Sequence, residues 1–173
     1  MIPGVDVRRL ARGEVGRFQA TMPSWNGQEY AQRVAFQERS LAVQLVAWDG
    51  EVAVGRGTLV LPGHPEWSAS AYRERCPEIR DLGVAADRQR QGIGSALIRG
   101  LEDEARAAGF GRVGLGVGLE ESYAAARATY ARLGYDVVHG PFVQGASLRR
   151  DDGSTFPVAG VCMYLVKTVG QLP

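Results

Sequence analysis

Leu82-Gly83-Val84-Ala85-Ala86-Asp87-Arg88-Gln89-Arg90-Gln91-Gly92-Ile93-Gly94-Ser95-Ala96-Leu97 runs from the end of a strand, through a basic turn, into the start of a helix. The strand reads as Glu78–Val84. Beyond the turn, Ile93, Leu97, Leu101, Ala105 and Ala108 recur every three or four positions, which predicts a helix over residues 92–108. Gly109 follows, where glycine commonly ends a helix. The first N–H groups of such a helix have no intrahelical partner, and its dipole adds partial positive charge there. Gly92 and Gly94 would let an anion approach the backbone without meeting a Cβ, and Arg88 and Arg90 add charge beside it. The segment therefore has the makings of a phosphate cradle. It is not a Walker loop, because the chain has no G-x-x-x-x-G-K-[ST]. As a dinucleotide fingerprint it lacks the third glycine. A merely glycine-rich helix start is the plain alternative.

Outward from this centre, strands are predicted over residues 5–10, 41–48, 52–61, 112–119, 135–138 and 161–166. Asp49-Gly50 is a strong hairpin signal between two of them. Helices are predicted over residues 28–39, with Tyr30, Val34 and Ala35 on one face, and over 122–133, stopped by Gly134. Residues 62–76 hold two prolines and no period, and read as a loop carrying His64, Trp67 and Tyr72. Residues 140–159 read as a glycine-rich excursion, a long hairpin. The order is β-α-α-β-β-β-α-β-α-β-β, a mixed α/β domain with a strand–helix–strand crossover at its centre. No repeat or linker divides residues 1–173, so one domain is expected.

Composition excludes several classes. Hydrophobic residues at 45% and charged ones at 23% fit a globular protein and not a disordered one. A net charge of +1 gives no nucleic-acid footprint. No apolar run reaches the roughly 18 residues of a membrane span, and Met1 to Leu10 has no signal-peptide pattern. Cys76 and Cys162 are far apart with no histidine cluster, so no metal is expected, and two free thiols fit a reducing cytoplasm. Glycine contributes 23 of 173 residues, and Lys167 is the only lysine. Codon bias would explain both, except that Gly114, Gly116 and Gly118 alternate along one predicted strand and leave one face of it bare. That bare face is expected to admit the following helix or a ligand arm.

The segment resembles the pyrophosphate-binding loop of the GCN5-related N-acetyltransferases, [QR]-x-x-G-x-[GA] after a strand ending L-x-V. Leu82-x-Val84 and Gln89-Arg90-Gln91-Gly92-Ile93-Gly94 fit it without a gap. A second family motif, an alanine-rich helix ending Y-x-x-x-G-[FY], matches Ala126-Arg127-Ala128-Thr129-Tyr130-Ala131-Arg132-Leu133-Gly134-Tyr135. The resemblance covers roughly residues 40–140, and the ends by topology alone. It implies the fold of that family, acetyl-CoA as the acyl donor, and an N-acetyltransferase. Amides around Arg90, Gln91, Gly92, Ile93, Gly94 and Ser95, with Gln89, would bind the coenzyme A pyrophosphate. Main-chain groups of Leu82, Gly83 and Val84 would receive the pantetheine arm as an added strand. Tyr130 matches the tyrosine that protonates the departing thiolate; the alternative is a packing tyrosine. Glu78 matches a glutamate six residues ahead of the motif valine that serves as general base, and an amine needs one, being mostly ammonium at pH 7. Pairing with a surface arginine is its alternative. By strand alternation, Glu78, Arg80 and Leu82 share one face and Asp81 the other. The sequence departs from the family at two places. Tyr123, with Ser122 beside it as a helix cap, stands where the family often has asparagine, and Arg90 stands where the loop usually has glycine.

Other residues carry less. Cys76 has no histidine near it in sequence and makes a poor acyl nucleophile. His64 and His139 read as solvated or packed. Trp25, Trp67 and Phe142 would rim an acceptor pocket or serve as core lids. Glu120-Glu121 would attract a cationic amine or simply favour a helix start. A small-molecule amine is the expected acceptor, with a protein N-terminus or lysine as the second possibility. A non-catalytic acyl-CoA-binding regulatory domain is the competing class, and a dinucleotide-dependent enzyme a third. By the resemblance a homodimer is possible.

Overall fold

The computed structural model describes residues 2–22, 30–149 and 154–170, with only the backbone for 146–149, 155 and 156. The chain forms β1 (Val5–Arg9), α1 (Val15–Thr21), α2 (Tyr30–Glu38), β2 (Ala42–Asp49), β3 (Val52–Val60), α3 (Ala69–Glu74), β4 (Glu78–Val84), α4 (Ile93–Ala107), β5 (Arg112–Gly118), α5 (Ala124–Arg132), β6 (Asp136–Arg149) and β7 (Thr155–Thr168). The seven strands make one sheet in the order β1-β2-β3-β4-β5-β7-β6. Only β4 and β5 run parallel, because α4 connects them as a crossover; every other pair is antiparallel.

The mixed α/β architecture matches the sequence reading; α3 is added to the expected order, and α1 forms over residues to which no helix was assigned. Residues 62–76, expected as loop, contain α3. Ser68 caps it, its Oγ accepting from Ala71 N at 3.1 Å. Six residues are too few for a helical period to show. Over its described residues the excursion at 140–159 belongs to the paired arms of β6 and β7, each 14 residues long; residues 150–153 of that reading lie outside the described residues. Asp49-Gly50 turns the β2–β3 hairpin, with Gly50 at φ +57°. The predicted start of α2 at Gln28, and Trp25, lie outside the described residues.

Among the described residues three hydrophobic clusters pack against the sheet, the two largest on opposite faces. On one face Ile93, Leu97, Ile98 and Leu101 of α4 are fully buried against β2–β5, joined by Leu115, Val117 and Tyr130. Each such side chain contributes about 1.5–3 kcal/mol by leaving water. α4 lies close because glycines clear its path. A Cβ on Gly57 of β3 would stand 2.9 Å from Leu101 Cδ1, and one on Gly100 of α4 2.8 Å from Leu45 Cδ1. On the other face, α1 and α2 pack Phe18, Tyr30 and Val34 against Val46 and Trp48.

Beside the first core, Glu102 of α4 is 2% exposed. It accepts from Tyr135 Oη at 3.0 Å and from Lys167 Nζ at 2.9 Å on both oxygens, so the only lysine of the chain closes the sheet's far end onto α4. Removing one partner leaves a buried charge, the costly case. Lys167→Met should therefore lower unfolding stability by about 3 kcal/mol in a urea titration. Adding Glu102→Leu should recover more than half of that loss; no recovery would show that packing, not charge, was lost.

Candidate active site

Pairing of β4 with β5 consists of two rungs, Glu78↔Gly114 and Ile79↔Leu115. Beyond them the strands part, while β4 stays paired with β3 as far as Gly55↔Val84. Ala85 N donates to Val54 O at 3.0 Å, and antiparallel pairs alternate between bonded and non-bonded. Gly83 therefore also bonds Arg56 across the ladder, and Leu82 and Val84 turn their main-chain groups away from β3, toward the gap left by β5.

The β4 strand is not regular. Asp81 has φ +49°, and the register with β3 shifts between Arg56 and Thr58. This bulge overturns the face assignment by alternation. Arg80 and Asp81 lie on the same face as Glu78, whereas Leu82 crosses to the α4 face, its Cδ1 3.0 Å from where a Gly57 Cβ would stand. Asp81 is held by Arg56, Nε–Oδ2 3.0 Å and Nη2–Oδ1 3.1 Å, and by Arg33 of α2, Nη1–Oδ2 3.0 Å. Sequence reasoning passed over this trio. The signal was an aspartate two residues from a glycine inside a strand, a combination that marks bulges.

The loop after β4 carries two further left-handed residues, Arg90 at φ +61° and Gly92 at φ +87°. The usual loop glycine stands at the position of Arg90, whose conformation explains that preference. Gly92 caps α4 without a side chain, so the amides of the first turn are free of any capping group. Gly94 has room for a Cβ, 3.7 Å from Val84 Cγ2, so either glycine or alanine fits there. Ile93 is 1% exposed, and only its amide is available at the cradle. Gln89 Nε2 donates to Val84 O at 3.2 Å, and Gln91 Nε2 to Asp87 O at 3.3 Å, pinning the loop to the strand end. Arg88 is drawn to Asp49 of the β2–β3 turn at 2.6 Å. Arg90, exposed, makes no ion pair among the described residues and is the loop's free positive charge.

Glu78 and Tyr130 stand on opposite faces of the sheet. The Glu78 carboxylate is 2% exposed and accepts from Ser68 Oγ at 3.0 Å and Ser68 N at 3.3 Å; Arg80 Nη1 lies 3.8 Å away. Burial pushes its pKa above the ordinary value, against the pull of Arg80 and Ser68. Tyr130 is buried among the α4-side core, its ring 6.0 Å from that of Tyr135, and burial pushes its hydroxyl up to about 12, with Tyr123 adding to the rise. Tyr123, not Ser122, precedes the first residue of α5 and offers no side-chain cap; its ring folds back over Gly118. The Cys76 thiol is pushed up to about 11 by burial, which suits packing and not nucleophilic attack. Trp67 donates to Cys76 O at 3.0 Å and packs, with Phe142, around Ala71, Cys76, Tyr164 and Val166. His64 lies against Phe36, and His139 stacks on Tyr164.

The bare face of β5 is covered mainly by side chains from the neighbouring strands. Tyr164 Oη lies over Gly114 and Gln144 Oε1 over Gly116, while Glu120 and Tyr123 lie over Gly118. The expectation of a following helix thus holds at Gly118 alone, where Tyr123 leads into α5. Among the described residues no group of side chains could hold a metal ion, and no helix is long and apolar enough to cross a membrane.

A crossover-joined parallel pair that opens into a wedge, with an uncapped helix start at its mouth, defines an acyltransferase of the acyl-CoA N-acyltransferase fold. The Acetyltransferase (GNAT) family matches residues 13–135, and the chain belongs to that family, whose members bind acetyl-CoA or coenzyme A. Similar solved structures include the ribosomal-protein-S18-alanine N-acetyltransferase from Escherichia coli, at 15% identity and TM-score 0.64, covering 98% of this chain and 96% of that one. An aminoglycoside 6'-acetyltransferase type Ii is 21% identical with TM-score 0.59, covering 97% and 99%. An aminoglycoside 6'-N-acetyltransferase complexed with coenzyme A is 18% identical with TM-score 0.58, again covering 97% and 99%. At these identities the likeness is one of fold. No curated protein sequence matches the chain.

Two outcomes follow from these contacts. A Cβ at Gly114 would stand 2.7 Å from the Tyr164 ring, whereas one at Gly116 meets only the movable end of Gln144 at 3.0 Å. Gly114→Ala should destabilise by about 2 kcal/mol, and Gly116→Ala should stay within about 0.5 kcal/mol of wild type, both by chemical denaturation. For Glu78, a raised folded pKa means its contribution is fully present below the ordinary 4.5 and is lost as pH rises through the folded value. The melting temperature of Glu78→Gln relative to wild type should therefore climb as pH is raised above about 4.5; a difference independent of pH would rule out a titrating Glu78.

Proposed function

We propose that the protein transfers the acetyl group of acetyl-CoA to a primary amine of a small molecule, by direct attack in a ternary complex. The observation that carries this reading is the β4 edge at Leu82 and Val84, left unpaired by β5 and touched by Gln89 at the Val84 carbonyl, leading straight into an α4 start that no side chain caps among the described residues. Amides of Arg90, Gln91, Gly92, Ile93, Gly94 and Ser95 would hold the pyrophosphate, with the Arg90 charge beside it. Leu82 and Val84 would receive the pantetheine arm by main-chain bonding, and Gly83, bonded to Arg56, keeps the edge straight behind them. Bound acetyl-CoA supplies an activated thioester.

The chain's own groups divide the proton work. Glu78 holds the proton lost by the amine. Its burial makes a relay through Ser68 Oγ, which touches Glu78 Oε1, more apt than direct contact. A carboxyl whose pKa lies above the ordinary range is a better base at neutral pH than an exposed one. Tyr130 keeps its proton at every physiological pH, since its pKa is about 12. A thiol has a pKa of about 8.5. A hydroxyl so much weaker as an acid stabilises the departing sulfur by donating a hydrogen bond and not by surrendering its proton outright.

Two of the similar folds are aminoglycoside acetyltransferases and one acts on a ribosomal protein's alanine. The panel that tests the acceptor therefore includes small amines, aminoglycosides and peptides with free N-termini, assayed by coenzyme A release. Turnover on small amines is the expected result. Turnover confined to peptides would move the substrate to proteins, and tight acetyl-CoA binding with no turnover on any amine would make this a binding domain. Tyr130→Phe should lower kcat by at least about tenfold while acetyl-CoA affinity, by calorimetry, stays within about twofold of wild type; an unchanged kcat would remove Tyr130 from the chemistry.

A further inference from the structure

The wedge that opens between β4 and β5 needs a cause. Parallel neighbours bonded at Glu78 and Ile79 would ordinarily continue to pair, since both strands run several residues further. The break coincides with Asp81, a non-glycine residue held at φ +49° in the middle of a strand. Aspartate tolerates that conformation better than most residues, but it does not prefer it to the extended form. Something must hold it there.

Two buried arginines do, through its carboxylate. The Asp81 carboxylate is 4% exposed and takes two parallel bonds from Arg56 of β3 at 3.0 and 3.1 Å. To reach it, the Arg56 guanidinium crosses the bare side of Gly83, 3.6 Å from where a Cβ would stand. Arg33 reaches the same carboxylate from α2 at 3.0 Å, and its Nη1 also donates to Gln44 Oε1 at 3.2 Å and to Thr58 Oγ1. Arg33 and Arg56 are both buried, so each charge has left water for this arrangement. Forked guanidinium–carboxylate pairing fixes direction as well as distance. Both arginines meet the carboxylate where the Asp81 backbone is left-handed, and that backbone sends Leu82 to the opposite face.

We propose that Asp81, clamped by Arg56 and Arg33, is a positioning residue that holds the β4 edge open for the acyl donor and couples that edge to helix α2. The clamp lies on the Glu78 face of the sheet, opposite α4 and Tyr130, and it is the described contact by which α2 grips the bulge directly. A shift of α2 would therefore be transmitted to Leu82 and Val84, and the donor site would respond to what happens on the α2 side. The assignment rests on the reading above that the donor pairs along this edge.

Arg33→Met is the cleaner probe, because it removes the α2 tie and leaves the forked pairing of Arg56 with Asp81 in place. Asp81→Gly is the second, because glycine accepts the positive φ freely yet carries no carboxylate. Amide hydrogen exchange on the free protein should show Gly83 and Ala85, both bonded to β3, exchanging at least about tenfold faster in each variant, with the amides of β2 unchanged. Calorimetry should show acetyl-CoA affinity weakened at least about fivefold in both, at temperatures where circular dichroism remains native. Exchange that quickens uniformly through β2, β3 and β4, or an Asp81→Gly protein that binds acetyl-CoA like wild type, would overturn the clamp. Wild-type protein that binds no acetyl-CoA would overturn the proposed function instead, and exchange at Gly83 would still decide whether the clamp holds the strand.

Discussion

Two parallel neighbours bonded over only two rungs impose most of what is distinctive here. A strand that leaves its partner exposes main-chain donors and acceptors, which in a sheet interior must find other company. In β4 the exposed groups are those of Leu82 and Val84, and Gln89 already donates to the Val84 carbonyl. The crossover helix that makes the pair parallel also begins at the mouth of the same gap. An unpaired strand edge and an uncapped helix start are therefore brought together by a single topological choice. Each alone is commonplace; side by side they match an elongated ligand with an extended arm and an anionic middle.

Glycine serves this arrangement in two unrelated ways. At Gly92 the backbone itself requires the left-handed conformation, and at Arg90 the same requirement is met by a residue less suited to it. Elsewhere the need is for space. Gly57 and Gly100 let α4 settle onto the sheet, and Gly114 lets the hydroxyl end of Tyr164 come close over β5. The bare face inferred from alternating glycines is real, but it is filled chiefly by β6 and β7 side chains. Regular spacing in a sequence shows that a face is empty of its own side chains; it does not show whose side chains will occupy it.

The same limit explains which parts of the site could be read. The α4 period, the Asp49-Gly50 turn and the glycine before α4 are local patterns, and the structure agrees with each within a residue or two. α3 was missed because six residues cannot display a period. The face of Asp81 was misjudged because alternation assumes a regular strand, and one left-handed residue shifts every later side chain to the other side. The partners that hold it, Arg33 and Arg56, lie 48 and 25 positions earlier in the chain, and no spacing rule connects them. Glu102 and Lys167 are 65 positions apart and escaped notice for the same reason. What is encoded by neighbours in sequence is legible there; what is encoded by charge pairing across the fold is not.

The bulge also decides how the chemistry is divided. With regular alternation Leu82 would share the Glu78 face, beyond Arg80 along the strand. Displaced to the α4 face, Leu82 joins the core that buries Tyr130, and the Glu78 face is left with Arg80, Asp81 and Ser68. The proposed proton acceptor, Glu78, thus lies in a polar, hydrogen-bonded setting and the proposed donor, Tyr130, in an apolar one, on opposite sides of one strand pair. Burial moves both pKa values upward, but to opposite chemical effect: it makes the carboxylate a stronger base and the phenol a weaker acid. A base strengthened in this way can accept the ammonium's proton more readily, while a phenol weakened in this way can only lend its hydrogen bond. Under the proposed function, most of the proton transfer would therefore fall to the Glu78 side, and the tyrosine's part would be to steady charge on the leaving atom.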